Sequence, residues 1–253
     1  MPAYDSDIAP VAALMADRTR AAMLTALLGG RPLAAGELAR TAGVTAQTAS
    51  SHLARLLDGG LVTVLKQGRH RYYELTGPDV AEAIEALGRI GPPIQVRSLR
   101  QSRAAQALQA ARTCYDHLAG RAGVELFAAL RGNALIHPET CHPTGEGERR
   151  LAAIGLDAAV LRGTRRRLAG PCLDWTERRP HLNGALGAAI TGRVVELGWF
   201  RRAAVPRALT LTAEGEAGLR EVFGCSIGAP VTLESWKTPS PTSGECWPPA
   251  SRT

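Results

Sequence analysis

The sequence lacks any hydrophobic run long enough to cross a membrane. Its first ten residues contain Asp5 and Asp7 but no basic residue, so they lack the charged start of a secretory signal peptide. We therefore expect a cytoplasmic protein with no membrane partner.

Recognisable catalytic motifs are also missing. No P-loop, GxSxG, HExxH or GxGxxG pattern stands in a fitting context, so we expect no enzyme activity and no cofactor. An enzyme with an unrecognised site in the C-terminal part is the minor alternative. The cysteines form no CxxC pair, which favours cytosolic thiols over a disulfide framework. They are Cys114, Cys141, Cys172, Cys225 and Cys246.

What the sequence does contain is apolar material and positive charge. Its 253 residues are 45% hydrophobic, which is enough for one large domain or two ordinary ones. The net charge of +7 favours an acidic partner, and nucleic acid is the commonest one. The window from Arg31 to Arg71 contains six basic residues and only two acidic ones, Glu37 and Asp58, so much of the excess positive charge lies there.

The pattern of apolar residues, caps and turns predicts a mainly α fold with small β-hairpin wings. We predict a winged helix-turn-helix domain over 1–91, a linker over 92–98, a helical, winged-helix-like effector or dimerisation domain over 99–225 and a disordered tail over 226–253. In the first domain, helices are predicted over 8–15, 18–28, 35–42, 46–57 and 79–90, with a hairpin over 61–65 and 70–75. Asp17, Thr45 and Thr76 are the predicted caps.

The fourth helix and the hairpin suit duplex DNA. The exposed face of that helix carries small polar side chains that can approach base edges, and Gln47 can pair with adenine. The basic hairpin can reach the DNA backbone. The predicted DNA-binding residues are Thr45, Ala46, Gln47, Thr48, Ser50, Ser51, His52, Arg55, Lys66, Gln67, Arg69, His70 and Arg71. For His52 we expect packing or a phosphate contact rather than a base contact.

Several phrases in the first hundred residues together resemble the ArsR family of winged-helix regulators. They are Asp17-Arg18-Thr19-Arg20, Glu37-Leu38-Ala39, Gln47 to Leu53, Gly60-Leu61-Val62 and Gln67 to Leu75. The resemblance implies a homodimer with the first and fifth helices at its interface, and repression of operator DNA that a small-molecule or metal effector relieves. A non-specific architectural DNA-binding protein and a winged helix used for protein contacts are the alternatives.

The metal sites that this resemblance implies lack their ligands here. One family site uses a Cys-x-Cys pair before the Glu-Leu-Ala phrase, where this chain has Ala34 and Gly36. The other uses histidine and carboxylates on the fifth helix, where this chain has Asp79, Glu82 and Glu85 but no histidine. A soft metal therefore has no inherited site in this domain, and effector binding is expected in the C-terminal half.

The C-terminal half repeats one local pattern. Thr76, Thr144 and Thr212 recur at equal spacing, each before a predicted helix and after a predicted strand. Residues 197–202 and 207–212 resemble a second wing, which suggests degenerate winged-helix units; chance spacing of good capping residues is the alternative.

Residues 99–119 are predicted to form one long helix, which would place Cys114 and His117 on one face. Together with Cys172 and His181 they are the candidate metal ligands. The favoured interpretation is that the cysteines are small buried side chains and the histidines ordinary surface or cap residues.

Two phrases, 112–120 and 171–182, resemble a longer ArsR subgroup with a C-terminal extension. The second phrase combines Trp175 with arginines, carboxylates and a histidine. It suggests an interdomain ion-pair network or, less favoured, a pocket for an anionic aromatic ligand.

Overall fold

The computed structural model describes residues 6–68, 70–92 and 98–228, which form two hydrophobic cores. One core lies between Met23 and Ala81, and the other between Ala111 and Cys225. Among the described residues, no helix combines the length and the apolar character that a membrane span needs. The predicted tail lies outside the described residues from position 229 onward.

The N-terminal domain is a winged helix. Its elements are α1 (Ala9–Ala16), α2 (Arg18–Leu27), β1 (Leu33–Ala34), α3 (Ala35–Ala42), α4 (Ala46–Asp58), β2 (Val62–Gln67), β3 (His70–Leu75) and α5 (Pro78–Ile90). The sheet has the order β1-β3-β2 with antiparallel pairing. Strand β1 was not predicted, because two residues are too few to show an alternating pattern.

Local capping chemistry explains the starts of α2 and α4. Asp17 accepts a hydrogen bond from the Arg20 N–H (2.9 Å) and Thr45 accepts one from the Thr48 N–H (3.2 Å), as predicted. The prediction for Thr76 is wrong. Gly77 occupies the N-cap of α5, and the Thr76 hydroxyl instead donates to the carbonyl oxygen of Gly60 (2.7 Å), which ties the end of the wing to its start.

The C-terminal domain contains more strands than the sequence predicted. Its elements are α6 (Leu99–Ala110), β4 (Arg112–Cys114), β5 (His117–Ala119), α7 (Gly120–Gly132), α8 (Gly145–Ala153), α9 (Ala158–Arg162), β6 (Gly170–Leu173), β7 (Pro180–Asn183), α10 (Gly184–Glu196), β8 (Phe200–Arg202), β9 (Leu209–Leu211) and α11 (Ala213–Phe223). The predicted second wing is present as the β8–β9 hairpin. The prediction of one long helix over 99–119 is wrong. Helix α6 ends at Ala110, and the β4–β5 hairpin follows.

Two units of similar construction make up this domain. Each begins with a short hairpin that runs into a helix, β4–β5–α7 in the first unit and β6–β7–α10 in the second. Each ends with a helix capped by threonine: Thr144 accepts from the Gly147 N–H (3.1 Å) and Thr212 from the Gly215 N–H (3.0 Å). The units pack reciprocally, with α7 against β7 and α10 against β5. The hairpins of the two units therefore meet in the middle of the domain.

Candidate nucleic-acid interface and Cys–His cluster

Helix α4 presents a polar face to solvent. Its apolar side, Ala49, Leu53 and Leu56, is buried in the N-terminal core. The predicted contact residues on the opposite side are exposed: Thr45, Ala46, Gln47, Thr48, Ser50, Ser51 and Arg55. The amphipathic spacing thus fixes the helix by one face and leaves the other free to enter a groove.

Hydroxyl groups near the start of α4 are partly engaged by the helix itself. Ser50 Oγ donates to the carbonyl oxygen of Ala46 (2.9 Å), and the hydroxyl oxygens of Thr45 and Thr48 lie 2.9 Å apart. These bonds fix the hydroxyl groups, so the exposed Gln47 is the side chain on this face with the longest reach and both donor and acceptor groups.

His52 takes a different position from the rest of this set. It is half-buried, and its Nδ1 lies 3.5 Å from Oδ1 of Asp17 at the start of α2. The histidine therefore lies beside another helix rather than on the exposed face, in keeping with the expectation that it makes no base contact.

The β2–β3 hairpin carries the predicted basic wing. Lys66 stands opposite Arg71 and Gln67 opposite His70, and all four are exposed. Arg69 lies outside the described residues. The cross-strand pair of Lys66 and Arg71 concentrates positive charge near the end of the hairpin, where a DNA backbone can approach.

The positions of the family's metal sites offer no ligand set. Ala34 and Gly36 flank the start of α3 and carry no donor side chain. On α5, Glu85 is buried and forms an ion pair with Arg207 from the C-terminal domain. The carboxylate of Glu85 is therefore already engaged, and this pair joins α5 to the second domain.

The four candidate ligands of the C-terminal half come together in one cluster. Cys114 stands opposite His117 in the first hairpin, and Cys172 opposite His181 in the second. Their ligand atoms all lie within 4.8 Å of one another. The candidate ligands were thus identified correctly as neighbours, but the helical spacing used for Cys114 and His117 is wrong, because these two residues pair across a hairpin.

A carboxylate lies beside each imidazole ring, although only the one at His117 is within hydrogen-bond distance. Asp116 Oδ1 lies 3.2 Å from Nδ1 of His117, and Asp174 Oδ2 lies 3.6 Å from Nδ1 of His181. The two rings stack with their centroids 5.1 Å apart. Sequence patterns did not identify either carboxylate as part of the cluster, because hairpin pairing was not predicted here.

Asp174 is held in place by a dense set of donors. The Arg112 guanidinium (2.9 Å), the Gly120 N–H (2.7 Å) and the Thr176 hydroxyl (2.6 Å) all donate to its carboxylate. Burial alone would raise the pKa of Asp174, but Arg112 and these hydrogen bonds hold it well below its usual range. Asp174 is thus a fixed negative charge beside His181.

The two thiols have opposite tendencies to ionise. A hydrogen bond from the Cys114 thiol, together with His117 and His181, holds the pKa of Cys172 well below its ordinary value, although burial opposes this. The same hydrogen bond and burial raise the pKa of Cys114. Burial alone would lower the pKa of His117, but its hydrogen bond to Asp116 and the nearby Cys172 sulfur raise it. The cluster therefore favours a thiolate next to a protonated donor.

The stretch around Trp175 forms ion pairs, but not between the domains. Arg112 lies over the Trp175 ring at 4.7 Å and pairs with Asp174, while Arg179 pairs with Glu125 at 2.8 Å. All of these residues belong to the C-terminal domain, so the interdomain location expected for this network is wrong.

Comparisons with known proteins agree with this architecture. Residues 15–64 match the family described as a helix-turn-helix domain. An uncharacterised HTH-type transcriptional regulator of Bacillus subtilis (strain 168), YdfF, is 41% identical over 223 residues, which are 87% of this chain and 99% of the relative. The similarity thus extends through the C-terminal domain and is not confined to the winged helix.

Solved structures match over about a third of the chain. HlyU from Vibrio cholerae N16961 is 29% identical, with a TM-score of 0.32, over 36% of this chain and 97% of that protein. The cadmium metal-sensor CMTR from Mycobacterium tuberculosis is 32% identical, with a TM-score of 0.29, over 35% of this chain and 99% of that protein.

Proposed function

Because the chain belongs to the ArsR family of winged helix-turn-helix transcriptional regulators, we propose that it is an effector-released repressor that binds a specific operator as a homodimer. It is a transcriptional regulator with a helix-turn-helix DNA-binding domain. The observation that carries the finer proposal is the exposed polar face of α4 beside a basic wing. Sequence specificity comes from base contacts of the helix, and affinity comes from phosphate contacts of the wing.

Exposed apolar surface supports the dimer. All eight residues of α1 are apolar, yet none of them is buried. On α5, Leu87 is 48% exposed and Ile90 81% exposed. A helix that is apolar all round is normally covered, and a second copy of the chain offers the same surface in return.

A comparison of specific and random DNA tests the proposal. Operators are first selected from fragmented genomic DNA by the full-length protein, and their affinities are then measured against a random duplex. We expect a preference of at least ~10³-fold for the operator. Equal affinity for both duplexes would instead identify an architectural DNA-binding protein.

Two single substitutions separate base from phosphate contacts. Gln47→Ala should cost about 1–3 kcal/mol on the operator and little on random DNA. Arg71→Ala should weaken binding to both duplexes alike and reduce the slope of log affinity against log salt by about one. If Gln47→Ala weakens binding to both duplexes equally, Gln47 does not contact bases.

Sedimentation measures the oligomeric state. The wild-type chain should be a dimer whose footprint shows half-sites ~34–36 Å apart. Leu87→Glu should give monomers, because it places a charge in the apolar interface. Val160→Glu, at an exposed apolar position on α9, is the matched control and should remain dimeric. A dimeric Leu87→Glu protein would exclude α5 from the interface.

A further inference from the structure

The Cys–His cluster consists of two equivalent halves. Each hairpin contributes a cysteine from its first strand and the histidine opposite it on its second. A Cβ at Gly123 would lie 3.4 Å from Cβ of His181, and one at Gly187 would lie 3.3 Å from Cβ of His117. The histidine of each unit thus packs against a helix glycine of the other unit, while the same Cβ atoms would lie still closer, 2.3 and 2.4 Å, to the carbonyl oxygens of Leu118 and Leu182 in their own units.

The distances and the donor atoms fit a metal ion. Zinc bonds of about 2.0–2.3 Å in a tetrahedral site place the ligand atoms about 3.3–3.8 Å apart. Here two sulfur and two nitrogen ligand atoms lie within 4.8 Å of one another. Small side-chain movements are enough to close the four around one ion, and two thiolates with two imidazoles are a set that zinc accepts.

Unpaired ring nitrogens also point to a ligand at the centre. His117 is 5% exposed and His181 is 1% exposed. Within the described part of the chain, Nε2 of His117 and both ring nitrogens of His181 lack a hydrogen bond of ordinary geometry. Buried polar atoms are rarely left in this condition, since each unsatisfied one keeps the full cost of its desolvation. A metal bond to each Nε2 removes that cost.

The surroundings complete the chemistry of such a site. The carboxylates of Asp116 and Asp174 lie near Nδ1 of the two rings, where they can orient each histidine with Nε2 toward the ion. Each carboxylate is already paired with an arginine, Asp116 with Arg166 and Asp174 with Arg112. The charge of a zinc ion is balanced by the two thiolates, so no unpaired charge is buried.

We propose that Cys114, His117, Cys172 and His181 bind one zinc ion in a closed tetrahedral site that joins the two units of the C-terminal domain. Zinc takes thiolates and neutral imidazoles as ligands, so binding releases to solvent the protons that the two sulfurs and the coordinating nitrogens carry. The protein supplies all four ligands, so the ion has a structural or sensory role and not a catalytic one. The ion fixes the β4–β5 turn, whose Tyr115 packs against the N-terminal core.

Metal analysis of the full-length chain tests this site. The protein is produced without a histidine tag in cells grown with added zinc. It is purified under reducing conditions and analysed by elemental mass spectrometry. We expect about one zinc ion per chain. Cobalt(II) reconstitution should give the visible absorption of a tetrahedral site together with thiolate-to-cobalt charge-transfer bands.

Substitutions locate the ion. Cys172→Ser and His181→Ala should lose the zinc and the cobalt spectrum. Cys225→Ser, a buried cysteine of the same core, and His142→Ala, an exposed histidine, are the matched controls and should keep both. Circular dichroism verifies that each variant is folded.

The wild-type result does not depend on any variant. A wild-type chain that holds neither zinc after supplemented growth nor tetrahedral cobalt after reconstitution overturns the proposal. So does a folded Cys172→Ser or His181→Ala chain with undiminished zinc. The DNA-binding measurements are separate from these, so either proposal can fail alone.

Discussion

The two hairpin units of the C-terminal domain share their ligand positions but differ in the loops between them. The first loop has two residues, Tyr115 and Asp116, whereas the second has six, from Asp174 to Arg179. The first loop contacts the winged helix: Tyr115 packs on the N-terminal core, and its carbonyl faces Gly30. The second loop turns inward, where Asp174 and Trp175 enclose Arg112.

This difference separates two tasks within one repeated scaffold. Because the strands hold the cysteines and histidines in register, the loops between them could diverge without moving the cluster. The short loop connects the cluster to the DNA-binding domain, and the long loop anchors it inside its own domain. Arg207 strengthens the first connection, since its guanidinium donates to the Thr113 carbonyl (3.1 Å) and pairs with Glu85 of α5.

The largest effect is expected from Asp174→Ala in the long loop. This substitution leaves Arg112, which is fully buried, without its partner. Breaking a buried pair from one side costs about 3–5 kcal/mol. Urea unfolding of the full-length chain in the presence of a chelator, which excludes any metal contribution, measures the free energy of unfolding.

Asp116→Ala in the short loop is the matched control. The side chains of Asp116 and Arg166 are 26% and 29% exposed, so solvent screens the pair and its loss should cost at most about 1 kcal/mol. Equal losses for the two variants would show that the loops do not differ in their anchoring role.

A second, smaller effect is expected at the contact between the domains. Gly30 has a φ of +65°, and a Cβ there would lie 2.4 Å from the Tyr115 carbonyl oxygen. Gly30→Ala should therefore lower the free energy of unfolding by ~1–2 kcal/mol, because a residue with a Cβ is strained in the left-handed conformation. The new methyl group should also push the short loop away. Hydrogen exchange of residues 113–117 should become faster.

Gly43→Ala separates these two causes. Gly43 has a φ of +68°, and no described atom lies within 4 Å of its Cβ position. It should show the backbone cost alone, with unchanged exchange at 113–117. If both variants leave that exchange unchanged, the short loop does not depend on its contact with Gly30.

An effect smaller than that of Asp174→Ala is also expected at Trp175. Its ring lies 4.7 Å from the Arg112 guanidinium and is 40% exposed. Trp175→Ala should destabilise the chain by about 0.5–2 kcal/mol, because a cation–π contact with a desolvated guanidinium is lost. Trp175→Phe keeps an aromatic face and should lose less in the same urea titration. If Trp175→Phe lowers the free energy of unfolding as much as Trp175→Ala, the stabilisation depends on the indole ring itself and not on an aromatic face in general.

The sequence predicted the winged helix well because its signals are local. Asp17 and Thr45 cap helices whose apolar spacing is regular, and Gly43 ends α3 in the left-handed conformation that glycine favours. The prediction that Thr76 caps α5 failed because the same hydroxyl can cap a helix or close a hairpin. Its contact with Gly60 depends on tertiary structure. The spacing of apolar residues along α4 and β3 likewise predicted that Gln47 and Arg71 are exposed.

The β4–β5 and β6–β7 hairpins were missed, the first of them because nothing local marks its turn. Tyr115 has a φ of 60° without being glycine or asparagine, and the turn depends on packing against the other domain and on the pairing of Asp116 with Arg166. A run of alanine, glutamine and arginine before it favours helix, so helix was predicted to continue. The four candidate ligands were identified by residue type, but their proximity needed the pairing of two distant hairpins.

The reciprocal glycines have a consequence for finding related proteins by sequence. Because a Cβ at Gly123 or Gly187 would lie 2.3 or 2.4 Å from the carbonyl oxygen of Leu118 or Leu182, and would also touch the histidine of the other unit, neither position can gain a side chain without moving its own hairpin. Chains with this cluster should therefore carry the phrase His-Leu-x-Gly-x-x-Gly twice, as at 117–123 and 181–187 here. A cysteine should precede each phrase at a distance that varies with the loop. This paired signature tolerates loop changes that would defeat a search for one contiguous motif.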